Sequence, residues 1–290
     1  MQLLKTTIKP ISNFAATPRG DTLFGQLCWM IHFCYGKKRL EELLVNYDKK
    51  PFMIVSDAFV SGYLPKPKLP SRLFLQDENA DKKKERKKQW IKYDDLQTLT
   101  NTCESNEDKQ VNTMHNSINR KILTTDNENF APYALQEVIM SEKDIYCLID
   151  EGQFSKNELN EVFEMLRDYG YGKDTSIGKG RFTFSDFIDV TQMIQKSSTA
   201  FMTLSPFSPQ GLPCKDIYYE LFTRFGKKGA LRAKENPFKR PLLLADTASV
   251  VIFDEPCEKQ YIGKAIGVHS THKDIVHQGY AITVAIKEIS

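Results

Sequence analysis

The sequence has no long apolar run, no paired cysteine motif and no strong excess of one charge. No apolar segment approaches the ~20 residues that a membrane-spanning helix needs, and the first residues lack the basic-then-apolar order of a signal peptide. The six cysteines are scattered without a C-x-x-C pair, which argues against a zinc knuckle and against a disulfide scaffold. These absences predict a protein of the reducing cytoplasm, with no membrane contact, no metal and no other cofactor.

The charge is small overall but unevenly distributed. A net charge of +3 over 290 residues does not indicate a partner by itself. Residues Lys82 to Lys92, however, carry seven cations and one anion. Such a block is usually a solvated, mobile segment, and the functional alternative is attraction to a polyanion. Trp90 and Tyr93 favour the alternative slightly, because aromatic rings among cations suit nucleic acid.

The first part of the chain predicts alternating strands and helices, and 290 residues suffice for one large domain or two ordinary ones. A helix begins after a turn at Pro18–Gly20, with Asp21 or Thr22 as its cap, and a capping box at Ser155 and Glu158 opens the second long helix. The expected elements are a strand over 3–9, helices from 21 and over 38–47, a strand over 52–60, a strand over 144–150, a helix from 155 and a strand over 182–188.

This order is that of the ferredoxin-like motif, which RNA-binding RRM domains share. The strands lack the paired aromatics of the RRM motifs, so any RNA contact would come from loops. The regular pattern is missing from 63–141, where three prolines are followed by the basic block and a polar stretch. We therefore predict an α+β fold: a ferredoxin-like domain over 1–196 with a long insertion at 63–141, and a second, mostly β domain of the same type over 197–290.

The segment from Gly170 to Phe184 is the most informative in the chain. Four glycines, Gly170, Gly172, Gly178 and Gly180, alternate with Lys173, Lys179 and Arg181. Glycine permits positive φ and close approach of another molecule, and exposed amides among cations make a concave site for phosphate oxygens. The spacing fits neither a dinucleotide fingerprint nor a P-loop. The alternative is a flexible connection with solvated charges.

This glycine loop and several other segments resemble the RAMP proteins of CRISPR–Cas systems, in particular the group that forms the fourth subunit of the type III-A (Csm) effector complex. Pro18 to Gly25 resembles the (G/A)-D-T-x-F-(G/S) signature at the head of the first helix. The other similar segments are 54–59, Tyr63 to Pro67, His115 to Arg120 with Thr124 and Thr125, 236–241, 249–251 and 278–280. Together they extend over nearly the whole chain.

The resemblance implies a binding role in antiviral defence. In this family two ferredoxin-like halves face each other, their cleft holds the repeat-derived 5′ handle of the CRISPR RNA, and the insertion forms a thumb. One surface contacts the large signature subunit and another begins the filament of backbone RAMP subunits. The chain departs from the simplest pattern at 82–92 and around 101–112, whose place in the thumb is open.

The residue types and the resemblance together predict a set of RNA-binding residues. Glycines allow close approach, cations neutralise phosphates, hydroxyls bond phosphate or ribose, and asparagine reads a base. Asp21 is expected to cap the helix, and Phe24 and Phe182 are expected in the core. The predicted set is Arg19, Thr22, Lys66, His115, Asn116, Asn119, Arg120, Gly172, Lys173, Thr175, Ser176, Gly178, Lys179, Gly180 and Arg181.

Two other functions remain open at this point. RAMP relatives include metal-independent endoribonucleases that process precursor RNA, a reaction that needs a general base near a ribose 2′-OH. His115 is the best candidate for that base, while His269 and His272 share a loop without a third metal ligand at a convincing spacing. We expect no catalysis, because the resembled subunit is a scaffold. The third interpretation is a general single-stranded RNA-binding protein.

Overall fold

The structure is a computed structural model. It describes residues 1–74, 83, 87–100, 102–103, 108–116, 118, 122–123, 125, 132–226, 238–267 and 275–289. Within these residues the fold mixes two α-helices with several antiparallel sheets. No helix there is long and apolar enough to cross a membrane.

The first sheet is built around a strand that is buried along its whole length. Its strands are β1 (Gln2–Pro10), β2 (Met53–Val55), β3 (Phe59–Val60), β8 (Lys143–Ile149), β9 (Phe182–Phe184) and β10 (Ile188–Asp189). β8 pairs antiparallel with β1 on one side and with β2 and β3 on the other, while β9 and β10 pair with the outer edge of β1. The lateral order in the sheet is therefore β9/β10, β1, β8 and β2/β3. In chain order these are the fourth, first, third and second strand positions.

Two helices complete the first half. α1 (Gly20–Leu44) is interrupted at Gly36, whose φ of 84° is not helical, and α2 (Lys156–Tyr169) begins at a complete capping box. The amide of Glu158 donates to Ser155 Oγ at 3.2 Å, and the amide of Ser155 donates to Glu158 Oε2 at 2.9 Å. The buried face of α2 consists of Leu159, Val162, Phe163 and Leu166, as its 3.6-residue spacing predicts.

The insertion contains two short β-ribbons among its described residues. One pairs β4 (Leu64–Pro65) with β5 (Trp90–Ile91). The other is a hairpin of β6 (Lys109–His115) and β7 (Tyr133–Ile139), paired over seven residues each. The expectation that regular structure is absent from 63–141 is therefore wrong. Half-buried Val111, Thr113 and His115 alternate with exposed neighbours, a strand signal that the polar composition obscured.

A second antiparallel sheet occupies the C-terminal part. It contains β11 (Ser198–Thr203), β12 (Asp216–Tyr218), β15 (Val250–Cys257), β16 (Tyr261–Gly263) and β17 (Tyr280–Ala285), in the order β12-β15-β11-β17-β16. A separate ribbon joins β13 (Leu221–Arg224) to β14 (Leu242–Ala245). The domain boundary predicted at 196/197 falls between the sheets but stays a prediction. One apolar cluster includes residues of both, among them Ile54, Leu148, Met202 and Ile282.

Three local expectations need correction. Residues 52–60 form two strands rather than one, because the chain departs from the ladder at Ser56–Ala58. The strand expected over 182–188 is likewise divided into β9 and β10. The helix α1 is not capped by Asp21 or Thr22: Arg19 is its N-cap residue and makes no side-chain cap bond. Phe24 and Phe182 lie in the core, as expected.

Candidate nucleic-acid interface

The glycine loop follows α2 and has an unusual backbone. Its four glycines all have positive φ: 91° at Gly170, 89° at Gly172, 89° at Gly178 and 70° at Gly180. Gly170 ends α2 by donating its amide to the Leu166 carbonyl at 2.7 Å. The prediction that glycine is needed here for positive φ is confirmed.

Most amides of this loop already have partners within the protein. Tyr171 donates to the Gly180 carbonyl at 2.9 Å, Gly180 donates to the Asn13 carbonyl at 2.9 Å, and Gly172 donates to Gln26 Oε1 at 3.3 Å. A Cβ at Gly180 would lie 2.0 Å from the Tyr171 carbonyl oxygen. The close approach that the glycines permit is therefore made by the loop to itself, and these amides are not a vacant cradle for phosphate.

The three cations of the loop differ in what they contact. Lys179 donates to Glu137 Oε1 on β7 at 2.5 Å, and its side chain is 17% exposed. Arg181 donates to the Asp168 carbonyl at the end of α2. Lys173 extends into solvent with 66% of its side chain exposed, 3.9 Å from Asp174. Among the predicted cations of the loop, Lys173 is thus the one most available to a phosphate.

Glu137 joins the hairpin to the glycine loop and to the segment after β1, which the sequence did not predict. We call this contact between Glu137, Lys179, Asn13 and His115 the joint. Besides Lys179, its carboxylate accepts from Asn13 Nδ2 at 2.8 Å, and His115 Nε2 lies 3.7 Å from Oε1. The hydrogen bonds from Lys179 and Asn13 lower the pKa of Glu137 to about 2, so it is a carboxylate at neutral pH. The joint brings together two predicted site residues, Lys179 and His115, from segments far apart in the chain.

The same joint is reinforced at the base of the β6–β7 hairpin. Phe14 and Val138 exchange backbone hydrogen bonds of 2.9 and 2.7 Å. Asp108 accepts from the buried Lys143 ammonium at 2.7 Å and from the Ser141 amide at 3.0 Å. The hairpin is therefore attached at several points to the sheet and to the glycine loop.

The remaining predicted residues of this region lie on or near the hairpin end and the loop. The His115 ring stacks on Tyr133 with a centroid distance of 5.8 Å, and Asn116 is exposed. Thr175 packs against Gly170, and Ser176 is exposed. Asn119, Arg120 and Thr124 lie outside the described residues.

A second charged cluster lies at the head of α1, between the two halves. Arg19 donates to Asp246, its Nε lies 3.3 Å from Asp57 Oδ2, and its guanidinium covers the Phe222 ring at 4.4 Å. Lys68 also donates to Asp246, at 2.9 Å. The Arg19 side chain, predicted to contact RNA, is thus engaged by carboxylates of both halves.

The neighbouring Asp21, the acidic residue of the signature segment, forms an ion pair with Arg224. Its side chain is fully buried and accepts two hydrogen bonds of 2.6 Å from Arg224 of β13. Thr22 is half-buried, and its hydroxyl lies 3.4 Å from Asp21 Oδ1. The structural role expected for Asp21 is therefore an ion pair between the halves rather than a helix cap.

Lys66 and the histidines other than His115 are placed apart from the joint. The Lys66 ammonium lies 4.3 Å from the centroid of the Phe74 ring, on the chain segment after β4. His32 is half-buried on α1, and His277 Nε2 lies 3.5 Å from Asp21 Oδ2. His269 and His272 lie outside the described residues. Among the residues that the structure describes, no group of three His, Cys, Asp or Glu side chains could hold a metal ion.

Asp57 provides a pH-dependent test of the cluster at the head of α1. Burial raises the pKa of Asp57 to about 6. The charge of nearby Arg19 and the hydrogen bonds from Thr247 and Gly20 lower this pKa, but their effect is smaller than that of burial. A raised pKa contributes stability that is complete below the unfolded value near 4 and is lost as pH rises through 6. Between pH 4 and pH 7, the free energy of unfolding of Asp57→Asn, measured in urea, should therefore rise by about 3 kcal/mol relative to that of the parent.

Asp150→Asn is the matched control with the opposite sign. Hydrogen bonds, the first from Lys50, lower the pKa of Asp150, so its contribution is present at neutral pH and is lost in acid. The stability of this variant relative to the parent should therefore fall as pH rises from acid to neutral. Parallel pH profiles for Asp57→Asn and the parent would show that Asp57 is not buried as described.

Comparison with known proteins identifies both a family and a fold. A family model described as the RAMP superfamily matches residues 19–183. A chain of the Csm1–Csm4 cassette in complex with pppApA is similar at a TM-score of 0.62 and 17% identity, over 100% of this chain and 99% of that chain. The cassette in complex with AMPPNP gives 0.62 and 17%, with 100% of both chains covered.

A third similar structure comes from a different assembly. A chain of the Csm3–Csm4 subcomplex in the type III-A CRISPR-Cas interference complex matches at a TM-score of 0.61 and 15% identity, over 98% of this chain and 99% of that chain. The component common to these assemblies is Csm4. At such identities the similarity shows the fold. No curated protein sequence matches the chain significantly.

Proposed function

This chain belongs to the RAMP superfamily, and from that premise we propose that it is a non-catalytic subunit of a type III-A CRISPR effector complex. In this role it holds the 5′ repeat-derived handle of the CRISPR RNA. It also links the large signature subunit to the backbone filament. The observation that carries the proposal is the end-to-end similarity to chains from the Csm1–Csm4 and Csm3–Csm4 assemblies, in which Csm4 is the shared component.

The finer architecture belongs to the same proposal. We propose two ferredoxin-like halves with the insertion as a thumb. In the first sheet the lateral order β9/β10, β1, β8, β2 is the order expected of a β-α-β-β-α-β unit. In the second sheet β17, β11, β15 and β12 repeat that order. The β6–β7 hairpin lies within the insertion that we propose as the thumb.

The joint at Glu137 supports the proposal because it holds the elements that would contact RNA in a fixed arrangement. A scaffold for RNA needs its contact elements held in a fixed geometry before the ligand binds, because each element that is ordered on binding reduces the affinity. The glycine loop, the segment after β1 and the hairpin are fastened together by Lys179, Asn13 and Glu137. Lys173, Ser176 and Asn116 remain on the outside of this joint, where they can contact a strand.

The experiment is protection of a handle-bearing RNA by the full chain or its complex. We expect the chain to protect a short 5′ segment without cutting it, and to prefer the handle over a scrambled RNA in competition. Lys173→Ala should reduce the salt slope of binding by up to about 0.7, the value for one phosphate contact on a single strand. Lys37→Ala, at an exposed lysine on α1 that pairs with Glu41, is the control.

Two outcomes would support the other functions instead. Discrete products from precursor RNA that disappear in His115→Ala would indicate a processing endoribonuclease. His115 Nε2 is buried beside Glu137, which disfavours its use as a base toward a ribose hydroxyl. Equal affinity for handle and scrambled RNA would indicate a general single-stranded RNA-binding protein.

A further inference from the structure

The β4–β5 ribbon has a buried face and an outer face of different chemistry. Leu64 and Ile91 are paired across the ribbon and are both buried in the core. Side chains alternate between the faces of a strand, so the neighbouring positions lie on the other face. These are the pair Pro65 and Trp90, with Tyr63 and Lys92 continuing the register beyond it.

Aromatic rings and ammonium groups lie close together on the ribbon and in the 3-10 helix that follows it. The Lys92 ammonium lies 6.0 Å from the centroid of the Tyr63 ring. The next residue, Tyr93, lies under the Lys196 ammonium at 5.1 Å, and its hydroxyl donates to the Met193 carbonyl at 3.3 Å. Trp90 is half-buried and, like Tyr93, packs in part against the core. Its backbone is fixed by paired hydrogen bonds with Cys103 of 3.2 and 2.9 Å. The rings are thus held on a fixed backbone.

Several lysines of the fold pair with carboxylates, and among the described residues the two lysines of this region do not. Lys68, Lys143 and Lys179 are each within 3 Å of a carboxylate oxygen. Within the described part of the chain, Lys92 and Lys196 form no ion pair, and both are exposed. Asp94 is the exposed carboxylate beside them in the sequence. The face therefore combines positive charge that is not internally neutralised with partly exposed aromatic rings.

We propose that this outer face of the β4–β5 ribbon binds single-stranded RNA without sequence preference, separately from the glycine loop. Tyr63 and the exposed part of Trp90 offer rings for base stacking, and Lys92, together with Lys196 beside the ribbon, neutralises phosphates. An acidic protein surface would use the lysines but would have no need of the rings, which is why RNA is the better occupant. The inference rests on the proposed function only in taking RNA as the ligand.

Trp90 provides a direct optical test in the full-length protein. The chain has two tryptophans, so Trp29→Phe leaves Trp90 as the single indole fluorophore. We expect a 15-nucleotide oligouridine to quench its fluorescence saturably. In that background Tyr63→Ala should weaken binding about 5- to 150-fold, the range that the loss of one stacked base produces. Lys92→Ala should reduce the salt slope by up to about 0.7.

Lys259→Ala is the matched control, because the Lys259 ammonium also lies over an aromatic ring, 5.6 Å from Phe253, but on the second sheet. Oligouridine that binds by fluorescence anisotropy without quenching Trp90 would overturn the proposal. So would quenching by polyglutamate equal to that by RNA, or equal losses in Lys92→Ala and Lys259→Ala. If handle protection fails while oligouridine still quenches Trp90, the proposed function fails and this inference stands.

Discussion

Gly180→Ala is expected to destabilise the protein by about 3 to 5 kcal/mol in urea unfolding. Two costs add at this position. The backbone has φ of 70°, which an L-residue with a Cβ adopts at a penalty. The new Cβ would also lie 2.0 Å from the Tyr171 carbonyl oxygen, and that contact is with backbone, which cannot rotate away. The loop must therefore open, and the hydrogen bond from Tyr171 to the Gly180 carbonyl is lost.

Gly172→Ala separates the two costs. Gly172 has φ of 89°, but a Cβ there would meet no atom within 4 Å. Gly172→Ala should lower the free energy of unfolding by about 1 to 2 kcal/mol, because only the unfavourable backbone conformation contributes. The Gly180 variant should in addition increase amide hydrogen exchange in β6 and β7, because opening the loop displaces Lys179 from Glu137. Equal costs for the two variants would show that the loop does not close on itself as described.

The sequence predicted best what is determined locally. The capping box at Ser155 and Glu158 and the apolar face of α2 need only residues a few positions apart, and both are present. The positive φ values of the four glycines of the loop were predicted for the same reason: the missing Cβ is a property of each residue alone. The strands predicted over 3–9 and 144–150 are present, but those predicted over 52–60 and 182–188 are each divided in two, and the four strands within 63–141 were not predicted.

The partners of the charged residues were beyond the reach of local patterns. Arg224 is 203 positions from Asp21, Asp246 is 227 positions from Arg19, and Glu137 is 42 positions from Lys179. Cations counted in the sequence as available for phosphate are therefore partly neutralised in the fold. Glu137 itself gave one signal: it is a charged residue on the inward, alternating face of β7.

This difference changes how the glycine-rich segment is understood. As a sequence, it suggests a flexible anion-binding loop. As a structure, it is a closed turn that fastens the hairpin to the sheet, with Lys173 as its outward cation. In the proposed function, RNA contact on this side of the protein therefore depends on the geometry that the joint maintains and not on a row of free amides.

Asp21→Asn is expected to cost about 3 to 5 kcal/mol, because it leaves the Arg224 guanidinium without its carboxylate between the two halves. Asparagine keeps the size of the side chain but loses the charge and one of the two acceptor oxygens that Arg224 contacts. Urea unfolding of the full-length chain measures the change. Glu41→Gln, which removes the exposed ion pair with Lys37 on the same helix, should leave the unfolding curve unchanged.

A double-mutant cycle decides whether the loss arises from the pair itself. In Asp21→Asn with Arg224→Met, the stranded guanidinium is gone, so the double variant should be less destabilised than the sum of the single changes by at least about 1 kcal/mol. Strict additivity would mean that the two side chains do not interact. In that case the ion pair would not account for the acidic residue in the Gly20–Asp21–Thr22 segment. Helix capping would not account for it either, since Asp21 does not cap α1.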